Sequence, residues 1–71
     1  MNRPRSKKTK ELTKHTVQVE RKQFVISLCE NDKGRYVQVV ETTANRDNRI
    51  IIPESGAQEF LKTFGLVLPA Q

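Results

Sequence analysis

Residues 24 to 40 read FVISLCENDKGRYVQVV. Phe24, Ile26 and Leu28 alternate with smaller or polar residues, a polar stretch intervenes, and Val37 and Val39 resume the alternation. Period two marks strands, because successive side chains on a strand point to opposite faces. Between the two runs, Asn31 and Asp32 favour the start of a turn, and Gly34 takes the positive φ that ends a type I turn in a G1 bulge. An antiparallel hairpin is therefore predicted. With Glu30 opposite Arg35, Leu28 faces Val37, Ile26 faces Val39 and Phe24 faces Glu41 on one side of the sheet. The other side carries Cys29 opposite Tyr36, Ser27 opposite Gln38, Val25 opposite Val40 and Gln23 opposite Thr42.

The flanking segments extend the pattern. Val17 and Val19 alternate ahead of the hairpin and predict a first strand. A polar link from Thr42 to Asn48 leads to Arg49-Ile50-Ile51-Ile52, a β-branched run closed by Pro53, which has no N–H for further ladder pairing. The period then changes: Ala57, Phe60, Leu61, Phe64 and Leu68 recur at steps of three and four. A helix follows, with Ser55 and Gln58 offering a capping box and the apolar stripe continuing through Gly65 towards Pro69. The order is strand, strand, strand, strand, helix, an α+β fold with the Leu28 and Val37 side under the helix.

Charge divides the chain unevenly. Of the net +5, residues 1 to 15 hold all the excess, with Arg3, Arg5, Lys7, Lys8, Lys10 and Lys14 against Glu11 alone; from residue 16 onward basic and acidic residues cancel. One leucine and no aromatic cannot bury enough surface to fold alone, so residues 1–15 are expected to be a disordered basic tail and residues 16–71 the folded unit. The tail reads either as a solubilising extension or as an arm for phosphates. A folded part of about 55 residues has a marginal core that a partner subunit often completes.

Several classes drop out. No run of 18 apolar residues and no apolar stretch behind the basic N-terminus suggest a membrane span or secretory signal, so a cytoplasmic location is expected, with nucleoid association possible for a basic chain. Cys29 is the single cysteine and His15 the single histidine, which leaves no disulfide framework, no metal cluster and no cofactor. No nucleophile has a base partner and no Gly-rich phosphate loop appears, so an enzyme is not expected.

The side bearing Tyr36 poses the functional question. An aromatic, small residues and uncharged hydrogen-bonding groups suit base planes and base edges, and Arg21, Lys22, Lys33 and Arg35 lie near its borders for phosphates. Equally, Tyr36, Val25 and Val40 suit packing against a second subunit. Residue pattern by itself favours the interface.

The stretch FVISLCENDKGRYVQVVET, from Phe24 to Thr42, resembles a PUR repeat, the purine-rich-element-binding module of single-stranded DNA- and RNA-binding proteins. The resemblance runs from about Val17 to Leu68. Its carriers are Asn31-x-Lys33-Gly34-Arg35 with an aromatic at position 36, Lys22-x-Phe24 opening a strand, and Pro53 leading into a helix with Glu59-Phe60 and Phe64-Gly65. It implies four curved antiparallel strands and a helix, with repeats paired by helix exchange. A lone repeat then implies a homodimer in which Phe60, Leu61, Phe64, Val67 and Leu68 bury against the partner, leaving the Tyr36 side free. It also implies that Asn31 and Arg35 contact the strand and that Tyr36 stacks or wedges against bases. Cys29 stands where the family usually has a lysine, and Glu20 where it often has a glutamine.

The expected function is sequence-tolerant, purine-leaning binding of single-stranded DNA or RNA by Asn31, Lys33, Arg35, Tyr36, Gln38, Ser27, Arg21 and Lys22, serving regulation of transcription or translation. No membrane or small-molecule substrate is expected as partner. The competing expectation is a small dimeric adaptor whose sheet face binds a protein.

Overall fold

Alternation and three polar turns produce a meander. The computed structural model describes residues 9–69. Strands β1 (Lys10–Val19), β2 (Lys22–Asn31), β3 (Gly34–Thr42) and β4 (Asp47–Pro53) form one antiparallel sheet in chain order, and helix α1 (Glu54–Val67) follows. The expected strand and helix order is what the chain adopts.

Each turn has its own chemistry. Between β2 and β3 the Asn31 side-chain oxygen accepts the Lys33 N–H at 2.8 Å, and Gly34 takes φ +129°. Asn31 pairs with Gly34, so the hairpin closes on Asp32 and Lys33, and every expected pairing of β2 with β3 is present, from Glu30 opposite Arg35 to Gln23 opposite Thr42. Between β1 and β2, Glu20 adopts φ 56°, a left-handed conformation unusual for a residue with a Cβ. Between β3 and β4, the Thr43 N–H and hydroxyl both donate to the Arg46 carbonyl, at 3.0 and 3.2 Å.

Strand β1 takes in the last six residues of the expected tail. Residues 10 to 15 pair with β2 over Glu30 to Ile26 rather than belonging to a disordered segment, while residues 1–8 lie outside the described residues. Composition measures only how much surface a segment can bury; ladder hydrogen bonds along an unpaired strand edge are open to polar sequences as well. The register shifts between Glu11 and Thr13, a β-bulge with Leu12 as the extra residue. Because side-chain direction alternates, one extra residue reverses which positions face which side.

The helix does not cover its own sheet. It touches β3 and β4 but neither β1 nor β2. The radius of gyration is 14.6 Å, against about 11 Å for a compact domain of this length. The cause is local: β4 ends at Pro53 and α1 begins at Glu54, so no loop remains to turn the chain back over the Leu28 and Val37 side. Along that side Ile26 stays 41% exposed and Ile50 49%, and on the helix Leu61 is 63% and Val67 78% exposed. Among the described residues the buried ones are Cys29 and Ser27, at 4% and 2%, small side chains on a central strand beneath longer neighbours. The helix N-cap is Pro53 without a side-chain cap hydrogen bond, so the expected Ser55 capping box is not formed: Ser55 already lies inside the helix. At the other end the helix passes through Gly65 to Val67 and stops at extended Leu68, the conformation that a following proline imposes.

Candidate nucleic-acid interface

Strand registers fix which side chains share a face. On the Tyr36 side they fall into rows across the four strands: Glu11, Cys29, Tyr36 and Pro53; then Lys14, Ser27, Gln38 and Ile51; then Thr16, Val25, Val40 and Arg49; then Gln18, Gln23, Thr42 and Asp47. The reverse side gathers Leu28, Val37 and Ile52, Ile26, Val39 and Ile50 with His15, and Phe24 with Val17. Thus one side is polar with scattered apolar groups, and the other has an apolar centre with charged residues, Arg35, Lys22 and Glu41, towards its ends.

The bulge at Leu12 shapes the first two rows. It turns Glu11 and Lys14 to the same side, where the Ser27 hydroxyl donates to Glu11 Oε2 at 3.3 Å and Lys14 Nζ lies 3.9 Å from Glu11 Oε1. Farther along, Arg49 Nη1 donates to Gln38 Oε1 at 3.4 Å. Two cations, on β1 and β4, therefore flank the Ser27 and Gln38 centre of the face.

The expected site residues separate into three groups. Tyr36, Gln38 and Ser27 share one face, with Ser27 beneath its neighbours and its hydroxyl engaged by Glu11. Asn31 and Lys33 stand at the β2–β3 turn beside Tyr36. Arg35 follows the pleat to the reverse side, where its Nη1 lies 3.9 Å from Glu54 Oε2 at the helix start. Arg21 and Lys22 are at the other end of the sheet, about 30 Å from Asn31 along β2. Lys22 also points to the reverse side, 3.0 Å from Glu41 Oε2. Hydrogen bonds from Lys22 and then Asn48, which donates at 3.2 Å, hold the Glu41 carboxyl below its ordinary value of 4.5.

Sequence reasoning missed Glu11, Lys14 and Arg49 on the Tyr36 side. Arg49 was within reach, since period two carried from Val40 into β4 places it there. The other two depend on the bulge, which no residue in KELTKHTVQV announces. Among the described residues no group of His, Cys, Asp and Glu is placed to hold a metal ion, and no helix is long and apolar enough to cross a membrane.

Comparison with known proteins agrees with this geometry. The family described as PurA ssDNA and RNA-binding protein matches residues 9–68, from the start of β1 to the end of the helix. Transcription factor Pur-alpha 1 of Arabidopsis thaliana is 44% identical over 54 residues, which make up 76% of this chain and 18% of that protein. The chain thus spans less than a fifth of that relative's length. With the match covering every strand and the helix, this chain belongs to the PurA family of single-stranded DNA- and RNA-binding proteins.

Proposed function

We propose that two copies of this chain form a dimer that holds unpaired, purine-leaning stretches of DNA or RNA on the Tyr36 face and thereby regulates transcription or translation in the cytoplasm or on the nucleoid. The observation that carries the reading is the contrast between the two faces. The Tyr36 side combines an aromatic, amide and hydroxyl groups and flanking cations over a floor of small residues, which is the composition of a stacking platform. The reverse side is apolar and uncovered, and so are Phe60, Leu61, Phe64, Val67 and Leu68 of the helical segment. Exposed apolar surface of this extent is resolved by association, and a second copy supplies the matching helix.

Within this reading Tyr36 stacks, Gln38 and Asn31 meet base edges, and Lys33, Arg35 and Arg49 meet phosphates. Arg35 reaches them by leaving a half-exposed ion pair with Glu54, a contact of the kind that contributes little to stability. Ser27 acts through Glu11, while Arg21 and Lys22 serve a strand long enough to run the length of β2.

The test is a titration of labelled single-stranded purine-rich oligonucleotide, and of its duplex, followed by fluorescence anisotropy, with the solution mass measured in parallel. Tighter binding of the single strand by a species of twice the chain mass is expected, as is a loss of roughly 1–3 kcal/mol on Tyr36→Ala. A dimer that binds neither form would favour the protein-binding adaptor instead.

A further inference from the structure

We propose that Glu11 reads guanine on the Tyr36 face, and this rests on the single-strand reading above, whose base preference it assigns to a residue. A carboxylate repels phosphates, but Glu11, in the same row as Tyr36, stands where it meets a base edge instead. Glu11 is half exposed and has a neighbour at each carboxylate oxygen: Ser27, itself 2% exposed, donates to Oε2 at 3.3 Å, and Lys14 Nζ lies 3.9 Å from Oε1. Each carboxylate oxygen has about two acceptor positions, so both keep one for a ligand.

Position completes the fit. Glu11, Cys29 and Tyr36 stand in one row on three neighbouring strands, which separates Glu11 from Tyr36 by about 10 Å between backbones. Cys29 between them is small and buried, so the longer Glu11 and Tyr36 side chains stand above it, and a base in contact with Tyr36 turns its edge towards Glu11. Guanine presents two adjacent donors there, N1–H and the 2-amino group, with the O6 acceptor beside N1. The two donors match the carboxylate, and with N1–H on Oε1 the O6 atom falls beside the Lys14 ammonium, which lies 3.9 Å from Oε1 and is a donor for it. Adenine and cytosine each set a ring-nitrogen acceptor against the carboxylate, and thymine or uracil flanks its single N–H with two carbonyl oxygens. These bases are repelled at the position where guanine is bound.

The experiment compares three single strands at one salt concentration: one with guanine, one with adenine in its place, and one with inosine, which lacks the 2-amino group. For the wild-type chain, guanine over adenine should reach roughly 5- to 150-fold, the range for a bidentate base contact, with inosine between them. Glu11→Gln offers one acceptor and one donor, which complement the N6 amino group and N1 of adenine, so its guanine preference should fall to within about twofold or reverse, guanine strands binding more weakly and adenine strands more tightly than to the wild-type chain. An unchanged guanine preference in the variant overturns the proposal. So does equal binding of inosine and guanine strands by the wild-type chain, a comparison that needs no variant to fold. Tight but base-indifferent binding sinks this assignment alone, whereas absence of single-strand binding sinks the reading beneath it as well.

Discussion

Gly34 and Glu20 both take positive φ at hairpin turns, +129° and 56°, but only one of them is a glycine. No atom lies within 4 Å of a Cβ built on Gly34, so an alanine there meets no clash and pays for backbone strain alone. Gly34→Ala should cost about 1–3 kcal/mol in denaturant unfolding, and Glu20→Gly should gain about 1 kcal/mol by relieving the reverse mismatch. An unchanged midpoint in both variants would contradict the turn geometry. Glu41 is a second residue-scale case. Its carboxyl is drawn below 4.5 by Lys22 and Asn48, so its share of stability is complete above that value and is lost as pH falls through the lowered one. Glu41→Gln should therefore flatten the fall in stability below pH 4.5 without changing its form near neutrality; identical acid limbs would show that the pair has no effect.

At the scale of elements, β2 and β3 were legible because three signals agree: a turn that only certain residues make, alternation on both sides of it, and an apolar set that a one-residue slip would move to the other face. Strand β1 was half legible. Val17 and Val19 announce its end, but residues 10 to 15 carry the charge of a tail and owe their strand to an unpaired ladder edge. The bulge at Leu12 left no trace, and with it Glu11 and Lys14 were lost from the face. The helix was legible by its period of three and four, whereas its direction was not, since periodicity says which side is apolar and nothing about what covers it. Its five apolar residues remain exposed, and covering them by a partner leads to a further prediction. Phe64→Asp places a charge in the middle of the stripe, so sedimentation should show the single-chain mass and the melting temperature should fall by several degrees, as for a loss of about 1–3 kcal/mol in a small domain. A dimer of undiminished stability would mean that the helix is not the joining element.

For the whole molecule, charge and shape assign separate tasks. Residues 1–8 contribute Arg3, Arg5, Lys7 and Lys8, which lie in sequence just ahead of β1 and the Lys14 edge of the Tyr36 face. If they neutralise phosphates as an arm, a chain starting at Thr9 should lose up to about 3 units from its log–log salt slope, at roughly 0.7 per phosphate on single strands. An unchanged slope would assign them to solubility. Face assignment underlies all of this, and amide and side-chain NMR shifts on adding an unpaired purine-rich oligonucleotide test it most directly. Tyr36, Gln38, Val25, Val40 and Ile51 should move, while Ile26, Val39 and Ile50 hold still behind the partner. Shifts concentrated at Ile26, Val39 and Ile50, with Tyr36 unmoved, would contradict the account.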